Sequence, residues 1–262
     1  MSNTALITGT ALITGASAGI GAEFARYHAS LGGDLIITAR RADALNALKA
    51  ELEAAHGISV TTIACDLGAP DGAEQIYQAT KDTRIDILIN NAGFGGHGLF
   101  IERPLLEDLG MIDLNVKALV SLCHKIGNDM AANGGGKILN VSSTAAYMPG
   151  PLQATYFATK AFVSSFSYAL AEELSDKGVT VTALEPGYVE TEFADRADLN
   201  GTALTKSGQT PDTVAKIGYD AMLKGKINVI NEPFLAFQLN WLMPFLPHKL
   251  KNKFIRKMQE KA

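Results

Sequence analysis

Thr10-Ala11-Leu12-Ile13-Thr14-Gly15-Ala16-Ser17-Ala18-Gly19-Ile20-Gly21 is the stretch on which the reading of the whole chain turns. A short apolar run suited to a strand (10–14) passes directly into a glycine-rich turn. The turn passes into a helical period, with Ile20, Phe24, Tyr27 and Leu31 four, three and four residues apart. Glycines at a strand-to-helix junction let the backbone turn tightly and approach a diphosphate, whose charge is attracted by the free N–H groups at the helix start. Gly15, Ser17, Ala18, Gly19, Ile20 and Gly21 are therefore candidate phosphate-binding residues.

The same residues spell G-x-S-x-G at 15–19, the turn that presents the nucleophile of α/β-hydrolases. Such a serine normally follows several strands, and here at most one precedes it. The run Thr-Ala-Leu-Ile-Thr-Gly occurs twice, at 4–9 and 10–15, but only the second copy continues into the turn. The first is read as a local duplication without a function of its own, too short to be an architectural repeat.

Working outward, β-branched runs at 34–38, 60–64, 85–89, 137–141, 179–184 and 227–230 alternate with helical periods such as Leu45, Leu48, Leu52 and Ala55, which stop at Gly57. Strand and helix alternating without a linker predict one α/β domain: a mainly parallel sheet with helices on both faces. The segments 105–130 and 155–176 are apolar nearly all round, more than one sheet face needs, so a homo-oligomer (a dimer or tetramer) through these helices is expected.

Composition supports an ordinary globular fold: 262 residues, 47% apolar and 19% charged, with two cysteines and no low-complexity tract. Two cysteines exclude a disulfide framework. His28, His56, His97, His124 and His248 lack metal-site spacing, so no metal is expected. A net charge of -4 argues against a nucleic-acid partner. Without a basic leader or an apolar run near ~18 residues, the expected location is the cytoplasm.

The second strand ends in Arg40-Arg41, with no carboxylate before Asp43. A carboxylate here would hold the ribose of NAD, whereas an arginine accommodates the 2′-phosphate of NADP, so NADP is the expected cofactor. After the fifth strand stand Ser142, Ser143 and Thr144, and thirteen residues past Ser143 comes Tyr156, one helical turn before Lys160. An ammonium beside a phenol is expected to lower its pKa into the range of an acid or base. Tyr156 can then protonate a carbonyl oxygen as hydride arrives, while Ser143 steadies the developing alkoxide.

With these residues in place, the sequence resembles the short-chain dehydrogenase/reductase family in its compact form, over about residues 10–230. The resemblance rests on 14–21, Asp66-Leu67, Asn90-Asn91-Ala92-Gly93, Asn115, Ser143, Tyr156 with Lys160, and Pro186-Gly187. It implies a seven-stranded Rossmann-like sheet, with Asp66 and Leu67 beside the adenine and Asn91, Ala92 and Gly93 under the cofactor. It also implies that Lys160 binds the nicotinamide ribose, that Asn115 holds a water in a relay to Lys160, and that Pro186, Gly187, Val189 and Thr191 contact the nicotinamide amide. The expected activity is hydride transfer between NADP(H) and a carbonyl or secondary alcohol; the alternative is a non-catalytic NADP(H)-binding sensor.

Three positions depart from the common pattern. Ala18 stands where many NADP-preferring members carry a basic residue, leaving the 2′-phosphate to Arg40 and Arg41. Glu185 replaces a frequent asparagine, and Thr159 replaces a serine without expected consequence. The loop 94–98 with His97, the stretch 147–152 and the polar segment 192–210 are expected to border the substrate, with Tyr147, Met148 and Phe193 as candidates for an apolar pocket. Residues 231–247 are rich in large apolar side chains, and 248–262 carry six basic residues and one acid. This tail is read either as a lid or subunit contact, or as a segment that meets an acidic membrane surface or covers an acyl substrate.

Overall fold

The computed structural model describes residues 9–205 and 208–261; the first copy of the duplicated run, apart from Gly9, lies outside them. All seven expected strands are present: β1 (Ala11–Thr14), β2 (Leu35–Ala39), β3 (Val60–Ala64), β4 (Ile87–Asn90), β5 (Gly136–Val141), β6 (Val179–Leu184) and β7 (Asn228–Val229). They form one parallel sheet in the order β3-β2-β1-β4-β5-β6-β7, with Ile13 level with Ile37 on one side and Ile89 on the other. The fold is a single Rossmann-like α/β domain. β7 is shorter than expected because, as an edge strand, it is held by β6 alone.

Alternation along the strands builds two cores. Ile13, Ile37, Ile89 and Leu139 point to one face, where α1 (Gly19–Ser30), α2 (Ala42–His56) and a later helix cover them with Phe24, Leu45, Leu52 and Tyr219. Their neighbours Leu12, Ile36, Leu88 and Ile138 point to the other, against Ile76, Leu122, Ile126 and Val163. These four come from α3 (Gly72–Thr80), α5 (Leu119–Ala132) and α6 (Ala154–Glu173), where α4 (Leu105–Ile112) precedes α5. Each fully buried Leu or Ile contributes about 1.5–3 kcal/mol, so the period-two pattern is enforced strand by strand.

Chain order reverses between β1 and β4, and the carboxyl ends of the strands open into a cleft there. Beyond β6 come α7 (Phe193–Arg196), α8 (Pro211–Leu223), which supplies Tyr219, α9 (Pro233–Phe237) and α10 (His248–Gln259). α7, α9 and α10 stand over the same cleft.

Candidate active site

The first strand delivers the glycine turn to the cleft. Gly15 has φ +67°, and a Cβ there would sit 2.9 Å from the Cα of Ala92. A Cβ on Gly21 would overlap the Gly15 carbonyl oxygen, so Gly21 serves the close packing of α1 and does not itself line the cleft. Ala18, at the N-terminal cap of α1, offers no side-chain acceptor, which leaves the leading N–H groups available to an anion. The turn is braced from β4: the Thr14 hydroxyl accepts from the N–H groups of Asn91 and Ala92 (both 3.0 Å), and the Asn91 amide donates to the carbonyls of Thr14 and Gly15 (3.0 and 3.2 Å).

Arg40 and Arg41 follow β2 at the mouth of the cleft. Arg41 donates to the Ser17 carbonyl at 3.2 Å and pairs with Glu192 at 3.1 Å, tying the turn to the segment before α7. Arg40 is exposed and has no ion pair among the described residues. Arg196 of α7 joins them: its guanidinium lies 4.7 Å from the Phe94 ring centre, and lost solvation together with nearby Arg40 lowers its pKa. Nothing local in the sequence singles out Arg196, because α7 reaches the cleft only through the fold.

One cavity of about 1060 Å³ joins most of the remaining expected residues. Its wall includes Asp66, Leu67, Asn91, Ala92 and Gly93 on one side, and Pro186, Gly187, Val189 and Thr191 on the other. Ser143, Tyr156 and Lys160 line its inner part. Asn115 does not line it. It lies buried in a π-helical turn, Asp113–Ala118, between α4 and α5, and its side chain donates to the Phe94 carbonyl at 3.0 Å and accepts from the Phe94 N–H at 3.1 Å. The added residue of a π turn swings Asn115 toward the loop after β4, where it also donates to Thr159 at 3.2 Å.

Tyr156 and Lys160 share a face of α6, as their spacing predicts. The expected lowering of the phenol pKa is not what this environment produces. Burial pushes Tyr156 up to about 12, with the Ser143 hydroxyl only partly opposing it. The Lys160 ammonium donates to the Val141 carbonyl at 2.8 Å and stands 5.8 Å from the Tyr156 ring centre, too far to outweigh desolvation. Burial in turn lowers Lys160 to about 8. Ser143 accepts from the Ala145 N–H at 3.1 Å, and the Pro186 carbonyl to which it donates lies at a long 3.4 Å, so its proton can turn toward the cavity.

Glu185 is fully buried at the end of β6. Its carboxylate accepts hydrogen bonds from Tyr147 and Ser164 (both 2.6 Å), from Tyr168, and from the Asn228 amide at 3.2 Å. Ser164 in turn meets Ser142, whose hydroxyl donates to the Lys160 carbonyl. The carboxylate thus ties the turn after Ser143 and α6 to Pro186-Gly187. Tyr147 belongs to this cluster and not to the cavity wall, whereas Met148 and Phe193 do line the cavity.

The outer part of the cavity is apolar and comes mostly from the end of the chain: Leu235, Leu239, Met243, Ile255 and Met258. Residues 192–205 border it through Phe193, Leu199 and Leu204. His97 bonds the Gln259 carbonyl at 2.7 Å, anchoring the last turn of α10 to the loop after β4.

The sequence model of the family described as short chain dehydrogenase matches residues 9–200. The chain is 36% identical over 220 residues to a 3-oxoacyl-[acyl-carrier-protein] reductase of Synechocystis sp., covering 81% of this chain and 88% of that protein. It is 34% identical over 244 residues to a serine 3-dehydrogenase of Rhizobium radiobacter, covering 90% and 88%. A short-chain dehydrogenase from Sphingobium yanoikuyae, solved in complex with NADPH, superposes with a TM-score of 0.83 at 32% identity, covering 89% of this chain and 92% of that one. The glycine turn, the parallel sheet and the Ser-Tyr-Lys cluster on one cleft therefore belong together for a plain reason: this chain is a member of the short-chain dehydrogenase family of oxidoreductases.

Proposed function

We propose that the protein is an NADP(H)-dependent reductase that interconverts a carbonyl compound and a secondary alcohol. The observation that carries this reading is the continuity of one cavity from the glycine turn and Arg40 to Ser143, Tyr156 and Lys160. The residues fit the cofactor: the turn has no room for side chains at Gly15 and Gly21, the N–H groups of α1 face the diphosphate position, and Arg40, Arg41 and Arg196 surround the place of a 2′-phosphate. Asp66 and Leu67 would hold the adenine, Asn91, Ala92 and Gly93 the middle of the dinucleotide, and Pro186, Gly187, Val189 and Thr191 its nicotinamide end. Bound NADPH supplies the hydride, and NADP⁺ accepts it in the reverse direction.

Tyr156, held protonated at neutral pH by burial, gives its proton to the carbonyl oxygen during reduction. The Ser143 hydroxyl turns to donate to the same oxygen and stabilises the developing charge. Lys160, cationic below about pH 8, stabilises the phenolate that remains and binds the ribose. Asn115 acts from behind, fixing the Phe94 backbone and supporting the return of a proton toward Lys160.

The outer cavity favours a largely apolar substrate, because leucine, isoleucine, methionine and phenylalanine side chains make up most of its wall, beside Glu232, Gln238 and Lys251. The exposed Leu105, Leu106 and Leu109 of α4 and Phe162 of α6 support a homodimer through these helices. The test is oxidation of NADPH and NADH with a panel of ketones, aldehydes, 3-oxoacyl esters and steroid ketones. Tyr156→Phe should abolish turnover while NADPH affinity stays within about twofold, since that substitution removes only the transferable proton. Turnover retained by this variant removes the assignment; NADPH binding without turnover by the wild type on the whole panel favours the sensor reading.

A further inference from the structure

The end of the chain has two apolar faces, and only one is accounted for by the cavity. From Pro233 it runs through α9, a π-helical turn (Gln238–Leu242), a short 3₁₀ turn (Met243–Phe245) and α10. Leu235, Leu239, Ile255 and Met258 face the cavity. Phe234, Phe237, Trp241 and Phe245 face away from it, and they are among the most exposed large apolar residues of the protein, Phe245 at 83% and Trp241 at 66%. Between the two sets, Leu242, Leu246, Leu250 and Phe254 are both exposed and part of the cavity wall, so they form the rim of its mouth.

The charge along this segment is predominantly positive, with Glu232 and Glu260 at its two ends. From Pro233 to Gln259 the sequence holds five cationic and no acidic residues. Lys249, Lys253 and Lys257 are exposed on α10 and have no ion pair among the described residues; Arg256 is paired with Glu260. The chain as a whole carries -4, so the positive charge is local to this face. An aromatic, apolar surface ringed by lysines complements a bilayer containing anionic lipid, with the rings at the headgroup boundary and the ammonium groups against the phosphates.

We propose that residues 233–259 seat the protein on an anionic lipid surface, with the mouth of the cavity turned toward the bilayer. Attachment is to the surface: among the described residues no helix is long and apolar enough to cross a membrane. A second copy of the chain is a poorer occupant, because a two-fold contact through this face would bring the lysines of both copies together. The face on α4 lacks that obstacle, since its Lys117 is paired with Asp113 and its Arg103 with Asp108. The attachment does not depend on the catalytic reading. Where both hold, an apolar substrate dissolved in the bilayer enters the cavity without crossing water.

Trp241 is the only tryptophan, so its fluorescence reports this face alone. The full chain with NADP⁺ bound is mixed with phosphatidylcholine vesicles or with vesicles containing phosphatidylglycerol, and both sedimentation and Trp241 emission are followed. Cosedimentation and a blue shift are expected with the anionic vesicles. Both should weaken as salt rises from about 0.1 M to about 1 M, where the Debye length falls from about 10 Å to about 3 Å.

Each lysine near an anionic surface raises partitioning about fivefold, so Lys249→Ala, Lys253→Ala and Lys257→Ala together should weaken binding about a hundredfold. Phe245→Glu should weaken it at least tenfold. Neither variant touches the cavity wall, and both should keep the wild-type circular dichroism and NADP⁺ affinity. No cosedimentation and no emission shift with anionic vesicles at low salt overturns the proposal, as does binding unchanged in both variants. A fall in oligomeric mass on Phe245→Glu, without vesicle binding by the wild type, assigns the face to a second copy instead. Failure of the catalytic reading shows separately, as no NADPH oxidation, and leaves the vesicle result intact.

Discussion

Arg40 and Arg41 sit side by side, yet their surroundings differ. Arg41 is already occupied by Ser17 and Glu192, whereas Arg40 is free among the described residues to meet a phosphate. A charge-assisted hydrogen bond contributes about 1.5–3 kcal/mol, so Arg40→Ala should weaken NADPH binding roughly 10- to 100-fold in a titration while changing NADH by less than about twofold. Equal losses for both cofactors would remove Arg40 from the 2′-phosphate. Lys160 sets a second expectation. Burial lowers its pKa to about 8, so the cation proposed to steady the phenolate is lost as pH rises through that value, and kcat for reduction should decline above about pH 8. A profile flat through pH 9 would contradict this role. Tyr156, Lys160 and Arg40 were legible in the sequence because each lies within a few residues of a recognisable strand end or helical turn. Arg196 was not, for its neighbours Arg40 and Phe94 follow other strands far away along the chain.

Glu185 shows how one buried side chain couples several elements. Four donors from the turn after Ser143, from α6 and from β7 converge on a carboxyl group that has no ion pair among the described residues. Glu185→Ala removes the acceptor shared by the hydroxyl groups of Tyr147, Ser164 and Tyr168. It should cost about 3 kcal/mol, roughly 10 °C in melting temperature for a protein of this size. Glu185→Gln keeps the shape and should preserve most of the stability while reducing kcat about tenfold, through misplacement of Ser143 and Pro186. An unchanged kcat in that variant would limit Glu185 to a structural part.

On the opposite side of the sheet, His28 of α1 is fully buried, with its Nδ1 2.5 Å from the Tyr219 hydroxyl of α8. Burial lowers its pKa, so protonation favours the unfolded chain and stability is lost as pH falls below the ordinary histidine range. Melting temperatures between pH 7 and pH 5 should therefore fall less steeply for His28→Gln than for the wild type. The helices themselves were visible as periods of apolar residues. Their tertiary polar contacts were not, because a histidine or glutamate in an apolar run carries no mark of the partner it will meet.

The whole molecule presents two apolar surfaces of different kinds. The α4 surface, with Leu106 at 81% exposure, lies among balanced charges and suits a second copy; Leu106→Glu should halve the mass measured by light scattering, and an unchanged mass would exclude α4 from the contact. The surface of residues 233–259 is edged mainly by cationic side chains and suits an anionic bilayer.

The parallel sheet, the glycine turn and the Ser-Tyr-Lys cluster followed from residues 10–230 alone, because each depends on short spacings: period two in strands, about four in helices, fixed glycines at a turn. The shape of the outer cavity, the third arginine, the carboxylate between α6 and β6, and the direction of the Tyr156 pKa were settled by the folded chain. Each arises from burial and from contacts between distant segments, and neither can be counted along a sequence.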